Sequence, residues 1–495
     1  MFVELEAERG ARVEQDGRCA AYTEGARQGR TEAREEGGTW SKRGRCIRCR
    51  GSWLGPGVYD LIVEDATVVS SSGRAVADVC VEDGRIVYVG PRPAGPARRK
   101  TPAIGKFLIP GIIDTHVHFR SPGHPHKEDW ESGTRAAVSG GVTTVCDMPN
   151  TSPPTLSRAL WEQKRALAMA ASRANYGLWV GAAADNFDEL NELMDSGDAC
   201  GIKVFMGAST GPLLVDDATL LRVFAETRGL LGVHAEDEAL LVGARERFAG
   251  NPTPEHNEVR PPAAAAAAVK RLVELSRAHK RPVHVCHVST SAELAVLEDV
   301  RGIVPITTEA SPHHLWLSTE SGQGNFTKCN PPIRDEVDRR ALWTAVRRNR
   351  IDTIGSDHAP HTREEKLLPY WDAPSGIPGV ETTFPLLIAA IRQGRLSIER
   401  MVQLCAEAPA QIFGFHRKGW VKAGYDADFA LFTEVDLVKL AATDLLTRVG
   451  WSPFVGQKVG LKPEQVYVGG RLVAQRGRIV DDDVRGSLVR PGDAR

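Results

Sequence analysis

His116 and His118 stand near the end of one apolar run of this sequence, FLIPGIIDTHVHF, with a single residue between them. Alternate residues of an extended strand face the same side, so both imidazoles can reach one metal ion. Four more apolar runs carry a side chain of metal-binding type: Lys203 in GIKVFMG, His234 in LLGVHAE, His287 in PVHVCHVS and Asp357 in DTIGSD. Taken singly, a buried histidine reads as a hydrogen-bonded core residue. Taken together, imidazoles and a carboxylate at strand ends, with a lysine inside, are costly buried polar groups unless something shared compensates them. A pair of metal ions does so.

Lys203 is the odd member of the set. A buried ammonium beside metal ions is both desolvated and repelled, so it should lose its proton or be modified. Carbamylation by CO2 would turn it into a bridging anion. The alternative is an amine that reaches solvent from the strand end along its aliphatic stem. The residues alone leave both open.

These side chains need a frame. FLIPGIIDTHVHF, VTTVCDMP, YGLWVGAA, GIKVFMG, LLGVHAE, PVHVCHVS, VPITTEA and DTIGSD are eight strand candidates, with helical stretches such as KEDWESGTRAAVSG and AAAAAAVKRLVELSRAH between several of them. The alternation is that of βα units on a parallel sheet and predicts an α/β fold, a (β/α)8 TIM-like barrel over residues 108–415. Active sites of such barrels form at the C-terminal ends of the strands, where the residues above fall. KEDWESG reads as a helix start whose acidic residues suit the helix dipole. The Pro-rich, polar loop GNPTPEHNEVRPP borders the pocket mouth in this scheme, without an assigned role.

The flanks read differently. YDLIVEDATVVSSSG and ADVCVEDGRIVYVG are short β-rich runs with a hairpin signal at Asp83-Gly84; DADFALFTE and EQVYVGGRLVAQRGRIV repeat the pattern, with Gly469-Gly470 in a turn position. Residues 58–107 and 416–495 are therefore expected to build a small β-sandwich from both ends of the chain. Residues 1–57, rich in Arg, Glu and Gly and without periodicity, read as a disordered extension. It is either a regulatory tail or an upstream stretch added by a misplaced start codon, with the second favoured.

With 62 basic against 63 acidic residues, nothing suggests a nucleic-acid or membrane-surface partner, and a small molecule is the expected ligand. No apolar run reaches the roughly 18 residues of a membrane span, and the first residues lack a signal pattern, so a soluble cytoplasmic protein is expected. The nine cysteines are scattered, mostly in apolar runs, which argues against a disulfide framework. Cys46 and Cys49 form one CxxC, but no second pair follows to complete a structural zinc site.

The segments PGIIDTHVHFRSPG, HKEDWESGTRAAVSGGVTTVCDMPNTSPPT, GIKVFMGASTGPLLVDD, VHAEDE, VHVCHVSTSAEL, EASPHHL, NPPIR, SDHAPHTREEK and SGIPGVETTFPLL, in this order, resemble the dihydroorotases of the amidohydrolase superfamily. The resemblance runs from about Tyr59 to the C-terminal region. It implies two Zn2+ per subunit, with His116, His118 and Asp357 on one, His234 and His287 on the other, and carbamylated Lys203 and a hydroxide bridging them. It also implies that Arg120, Asn150 and His361 clamp the substrate carboxylate, with Asn330 lining the same pocket. Arginine offers a fork of donors suited to a carboxylate. Some dihydroorotases carry an aspartate in place of the lysine; GIKVFMGASTG resembles the lysine-bridged kind. Cys286 and Glu309 lie close in sequence to these residues, but adjacent strand residues point to opposite faces, so Cys286 reads as packing and both are left out of the ligand set.

The reaction so implied is the reversible cyclisation of N-carbamoyl-L-aspartate to (S)-dihydroorotate plus water, in de novo pyrimidine biosynthesis. In the hydrolytic direction the hydroxide attacks the ring amide carbonyl while one metal polarises it. Asp357, ligand and general acid/base at once, takes the proton and passes it to the leaving nitrogen. Cyclisation reverses these roles and consumes a proton, so falling pH favours it. The nearest rivals are allantoinase and the dihydropyrimidinase or hydantoinase type of cyclic amidohydrolase, whose substrates lack the extra carboxylate. A rival of another class is a non-catalytic amidohydrolase-like scaffold for a partner such as aspartate transcarbamoylase, but such relatives usually lose metal ligands and here every expected one is present. A homo-oligomer, and association with aspartate transcarbamoylase, are both compatible with the resemblance.

Overall fold

The structure is a computed structural model that describes residues 58–93, 95–209, 211–433 and 437–492. The extension expected over residues 1–57, with Cys46 and Cys49, lies outside the described residues.

Eight parallel strands follow one another in chain order around a barrel: Ile112–Val117, Val142–Asp147, Asn175–Gly181, Ala199–Phe205, Leu231–His234, Val283–Val285, Ile306–Ala310 and Thr353–Ile354. The first four are buried at every position, as strands with helices outside and a packed interior must be. First and last strands meet at the parallel bridge Val117–His358, where the His118 amide donates to the His358 carbonyl at 2.8 Å. The barrel is thus nearly closed, as the eight apolar runs predict.

The run FLIPGIIDTHVHF proves to be two strands. Phe107–Pro110 pairs antiparallel with Phe429–Phe432 in the flanking sheet, and Ile112–Val117 opens the barrel. The chain changes sheets at Gly111, where a Cβ would stand 2.0 Å from the Thr143 hydroxyl, so no other residue lets the backbone pass. Beyond the first strand, KEDWESG begins a helix as its acidic residues predict. Asp129 is the N-cap of Trp130–Ser139, its carboxylate accepting the Ser132 amide at 2.8 Å. Trp130 then meets Phe119 edge to face at 5.3 Å, which ties the helix to the residue following His118.

Strands from both chain ends share one nine-stranded sheet, in which Phe429–Phe432 stands between Phe107–Pro110 and Gln465–Val468. Its core includes Leu61, Val63, Val79, Leu108, Phe429 and Tyr467. Both expected hairpin turns form. Asp83 and Gly84 have φ 48° and 73°, and Gly469 and Gly470 have φ 53° and 73°, the left-handed pair that a two-residue turn between right-twisted strands requires. The six described cysteines are free and buried. Among the described residues no helix is long and apolar enough to cross a membrane.

Candidate active site

At the C-terminal end of the barrel a cavity of about 370 Å³ is lined by His116, His118, Arg120, Asn150, Lys203, His234, His287, Asn330 and Asp357, together with Phe205, Ser209, Ala359, Ser375 and Gly376. Nine of the ten residues named from the sequence therefore share one pocket. The tenth, His361, stands behind it. Its Nε2 lies 3.0 Å from the Ser375 carbonyl and 3.1 Å from the Arg120 guanidinium, and its Nδ1 lies 3.1 Å from Lys127 Nζ.

His116, His118 and Asp357 come within metal-sharing distance of one another, with the two imidazole Nε2 atoms 3.4 Å and 3.1 Å from Asp357 Oδ1. His234 Nδ1 and His287 Nε2 face each other at 3.1 Å, while the buried Nδ1 of His287 has no hydrogen-bond partner among the described residues. Burial pushes His118 down to about 3 and lowers His234 and His287 below the ordinary imidazole value, so all three are neutral at pH 7, the state a metal ligand must have. His116 differs: burial disfavours its charge, but the Glu309 and Asp357 carboxylates and Cys286 together outweigh that and raise it to about 10. Burial alone would raise Asp357 too, yet His116 and His118 hold it well below the usual carboxylate range. Three neutral imidazoles, a fourth paired with Glu309, and an ionised carboxylate therefore share one site, and these donors fit a pair of zinc ions.

Lys203 is 1% exposed, which removes the solvent-reaching alternative. Its Nζ lies 3.2 Å from Cys286 Sγ and 5.1 Å from the Phe205 ring centre, and among the described residues no carboxylate lies within ion-pair distance. A buried amine without a counter-charge, at the centre of a cluster of metal-binding groups, fits the carbamate reading: the modification replaces the cation by an anion.

Three further groups hold the imidazoles in place. Glu309 Oε1 stands 2.7 Å from His116 Nδ1, Asn150 Oδ1 2.6 Å from His118 Nδ1, and Glu236 Oε2 2.9 Å from His234 Nε2. Such partners fix which nitrogen faces inward. Glu236 is in turn clamped by Arg260 at 3.0 Å and 2.5 Å, and Arg260 comes from the loop GNPTPEHNEVRPP. Glu236 and Arg260 escaped the sequence reading. The only signal was the spacing His-x-Glu in VHAEDE, which does not name Arg260. Cys286 faces the barrel interior, packing with Ile113, Cys146, Trp179 and Cys200 as expected of it, yet it also touches Lys203 and forms a metal-capable cluster with His116 and Glu309. The alternation rule separates it from His287 only within a strand. That strand ends at Val285, and His287 turns with φ 36°.

Arg120, His287 and Asp357 all take positive φ, at 59°, 36° and 47°. Side chains other than glycine avoid this region at a cost of about 1–3 kcal/mol each, and the strain is concentrated where functional groups must be aimed. Arg120 is 4% exposed, its Nε donates to the Pro360 carbonyl at 3.3 Å, and among the described residues no carboxylate pairs with it. A buried guanidinium on the cavity wall with no carboxylate at ion-pair distance among the described residues calls for one from the ligand.

Residues 107–473 match the model of the amidohydrolase family. A dihydroorotase of Halobacterium salinarum is 39% identical over 419 residues, covering 83% of this chain and 96% of that one. A dihydroorotase of Methanosarcina acetivorans is 33% identical over 446 residues, covering 87% and 95%. Among solved structures, the L-hydantoinase (dihydropyrimidinase) of Arthrobacter aurescens superposes with a TM-score of 0.83 at 28% identity, covering 88% of this chain and all of that one. The dihydropyrimidinase of Brevibacillus agri gives 0.82 at 27%, covering 88% and 99%.

Proposed function

The chain belongs to the amidohydrolase family and is a hydrolase acting on cyclic amides, and from that premise we propose that it is a dihydroorotase, interconverting N-carbamoyl-L-aspartate and dihydroorotate. The observation that carries the reading is Arg120, a buried guanidinium with no carboxylate partner among the described residues, on the wall of a cavity that Asn150 and Asn330 also line. Dihydroorotate brings a ring carboxylate to such a place, whereas dihydrouracil and allantoin bring none.

In this reading His116, His118 and Asp357 would hold one zinc ion and His234 and His287 the other, and the neutral amine of Lys203, carbamylated by CO2 with release of a proton, would offer the pair a carboxylate. When bound, such ions would supply Lewis acidity toward the amide carbonyl and toward water at neutral pH. Asp357 Oδ1, in contact with both histidines of the first strand, accepts the proton of the attacking water and returns it to the ring nitrogen as the amide bond breaks. For cyclisation the same carboxyl begins protonated and helps expel water. Arg120 and Asn330 hold the substrate carboxylate at the far side of the cavity. Glu309 and Glu236 keep the imidazole tautomers fixed through the cycle.

Loss of dihydroorotate absorbance in the presence of the zinc-loaded protein tests the reading, with allantoin and dihydrouracil in parallel and Asp357→Ala as control. Turnover of dihydroorotate by the wild type alone supports it. Comparable turnover of dihydrouracil assigns the chain to the hydantoinase type that its solved neighbours represent.

A further inference from the structure

The loop GNPTPEHNEVRPP places His256 against the cavity wall from outside. The His256 Nε2 lies 3.0 Å from the Cys329 carbonyl and 3.0 Å from Asn330 Oδ1, and its Nδ1 lies 2.7 Å from the Tyr370 hydroxyl. A backbone carbonyl only accepts, so Nε2 must carry the proton. The side-chain atom of Asn330 that faces the same N–H must then be its oxygen, and Nδ1 is left as the acceptor for the Tyr370 hydroxyl. Burial, together with Arg260 and Lys328 nearby, pushes the imidazole down to about 3 and keeps it neutral.

We propose that His256 is a positioning residue that fixes the amide of Asn330 with its nitrogen toward the cavity, and that Tyr370 in turn fixes the tautomer of His256. Asn330 lines the cavity with Arg120 and Asn150, so its NH2 adds two donors to the cavity that the guanidinium also lines. An asparagine free to rotate would present its carbonyl to an anion half the time. Held by His256, it presents donors only, and the pocket then favours a ligand with an acceptor group at this end. The backbone just before Asn330 is anchored as well. Lys366 Nζ donates to the carbonyls of Lys328, Pro374 and Gly376 at 3.0, 2.9 and 3.1 Å, and the Gly376 amide donates to the Lys328 carbonyl at 2.9 Å. The inference rests on the reading of the pocket as one for a carboxylate-bearing substrate.

The test uses the full chain, zinc-loaded, with His256→Phe, His256→Gln and Tyr370→Phe. With dihydroorotate, His256→Phe is expected to raise KM about tenfold with kcat little changed, the effect of one misdirected hydrogen bond to a charged group. His256→Gln, whose amide N–H can still donate to Asn330 Oδ1, recovers part of the loss, and Tyr370→Phe shows a smaller rise of the same kind. Selective 15N labelling of histidine, with the His256 signal identified by its loss in His256→Gln, should show the Nε2–H tautomer in the wild type. Unchanged KM in both His256→Phe and Tyr370→Phe overturns the proposal, as does an Nδ1–H tautomer. If His256→Phe does not fold, Tyr370→Phe and the tautomer decide the same point. A wild type inert toward dihydroorotate overturns the substrate reading instead, and the tautomer measurement then judges His256 separately.

Discussion

His116 Nδ1 and Glu309 Oε1 are 2.7 Å apart in a fully buried site, and this pairing turns the opposite nitrogen of the ring, Nε2, to Asp357 Oδ1 at 3.4 Å. The carboxylate thereby decides which lone pair is offered to a metal. Glu309→Gln keeps the shape but gives up the charge. Zinc affinity is expected to fall about 10–100-fold, read by competition with a chromophoric chelator. Unchanged affinity would show that Glu309 serves only packing.

Among the described residues no carboxylate pairs with Lys203, so its modification should control metal loading. Protein stripped of metal and reloaded with zinc in CO2-free buffer is expected to stay largely inactive until bicarbonate is added. Lys203→Arg, which cannot form the carbamate, should not respond to bicarbonate at all. Equal recovery with and without bicarbonate would refute the bridge.

Arg120 sets selectivity in the proposed reaction. Arg120→Met is expected to lower kcat/KM for dihydroorotate about 10–100-fold, the loss of a charge-assisted hydrogen bond to the substrate. Any slow turnover of dihydrouracil should change little. Parallel losses on both substrates would mean that the residue supports the fold and not the substrate.

Lys366 gives a pH dependence that can be worked out in sign. Burial pushes its ammonium down to about 7, although three carbonyls accept from it. The unfolded chain holds its proton up to the ordinary lysine range near 10.4, so between these values the unfolded state binds more protons and stability rises with pH. Relative to Lys366→Met, the wild type should gain on the order of a few kcal/mol between pH 6.5 and 9.5. Denaturant midpoints of the two proteins at both pH values check it; a constant difference would show that the carbonyls hold the ammonium charged throughout.

Much of the site is legible in the chain because strand residues carry their own periodicity. His116 and His118 face one side whatever surrounds them, and an apolar run that ends in His234 or Asp357 marks a strand end at the barrel mouth. The Asp83-Gly84 and Gly469-Gly470 turns are equally local. The division of FLIPGIIDTHVHF at Gly111 was not legible, since nothing in an apolar run says which sheet each half joins; that depends on Phe429–Phe432, far along the chain.

By itself, then, the sequence determined the eight strands, the types of group brought to their ends and the β-rich flanks on both sides of the barrel, which it read as a small sandwich and which share one nine-stranded sheet. The tertiary structure alone decided the partners of those groups. Lys203 meets Cys286 across 83 residues, His116 meets Glu309 across 193, and Arg120 meets His361 across 241. Such contacts arise when strands distant in sequence close into one barrel. Their lateral register is set by the packing of all eight strands together, whereas the pattern within any one strand fixes only the side to which its own residues point.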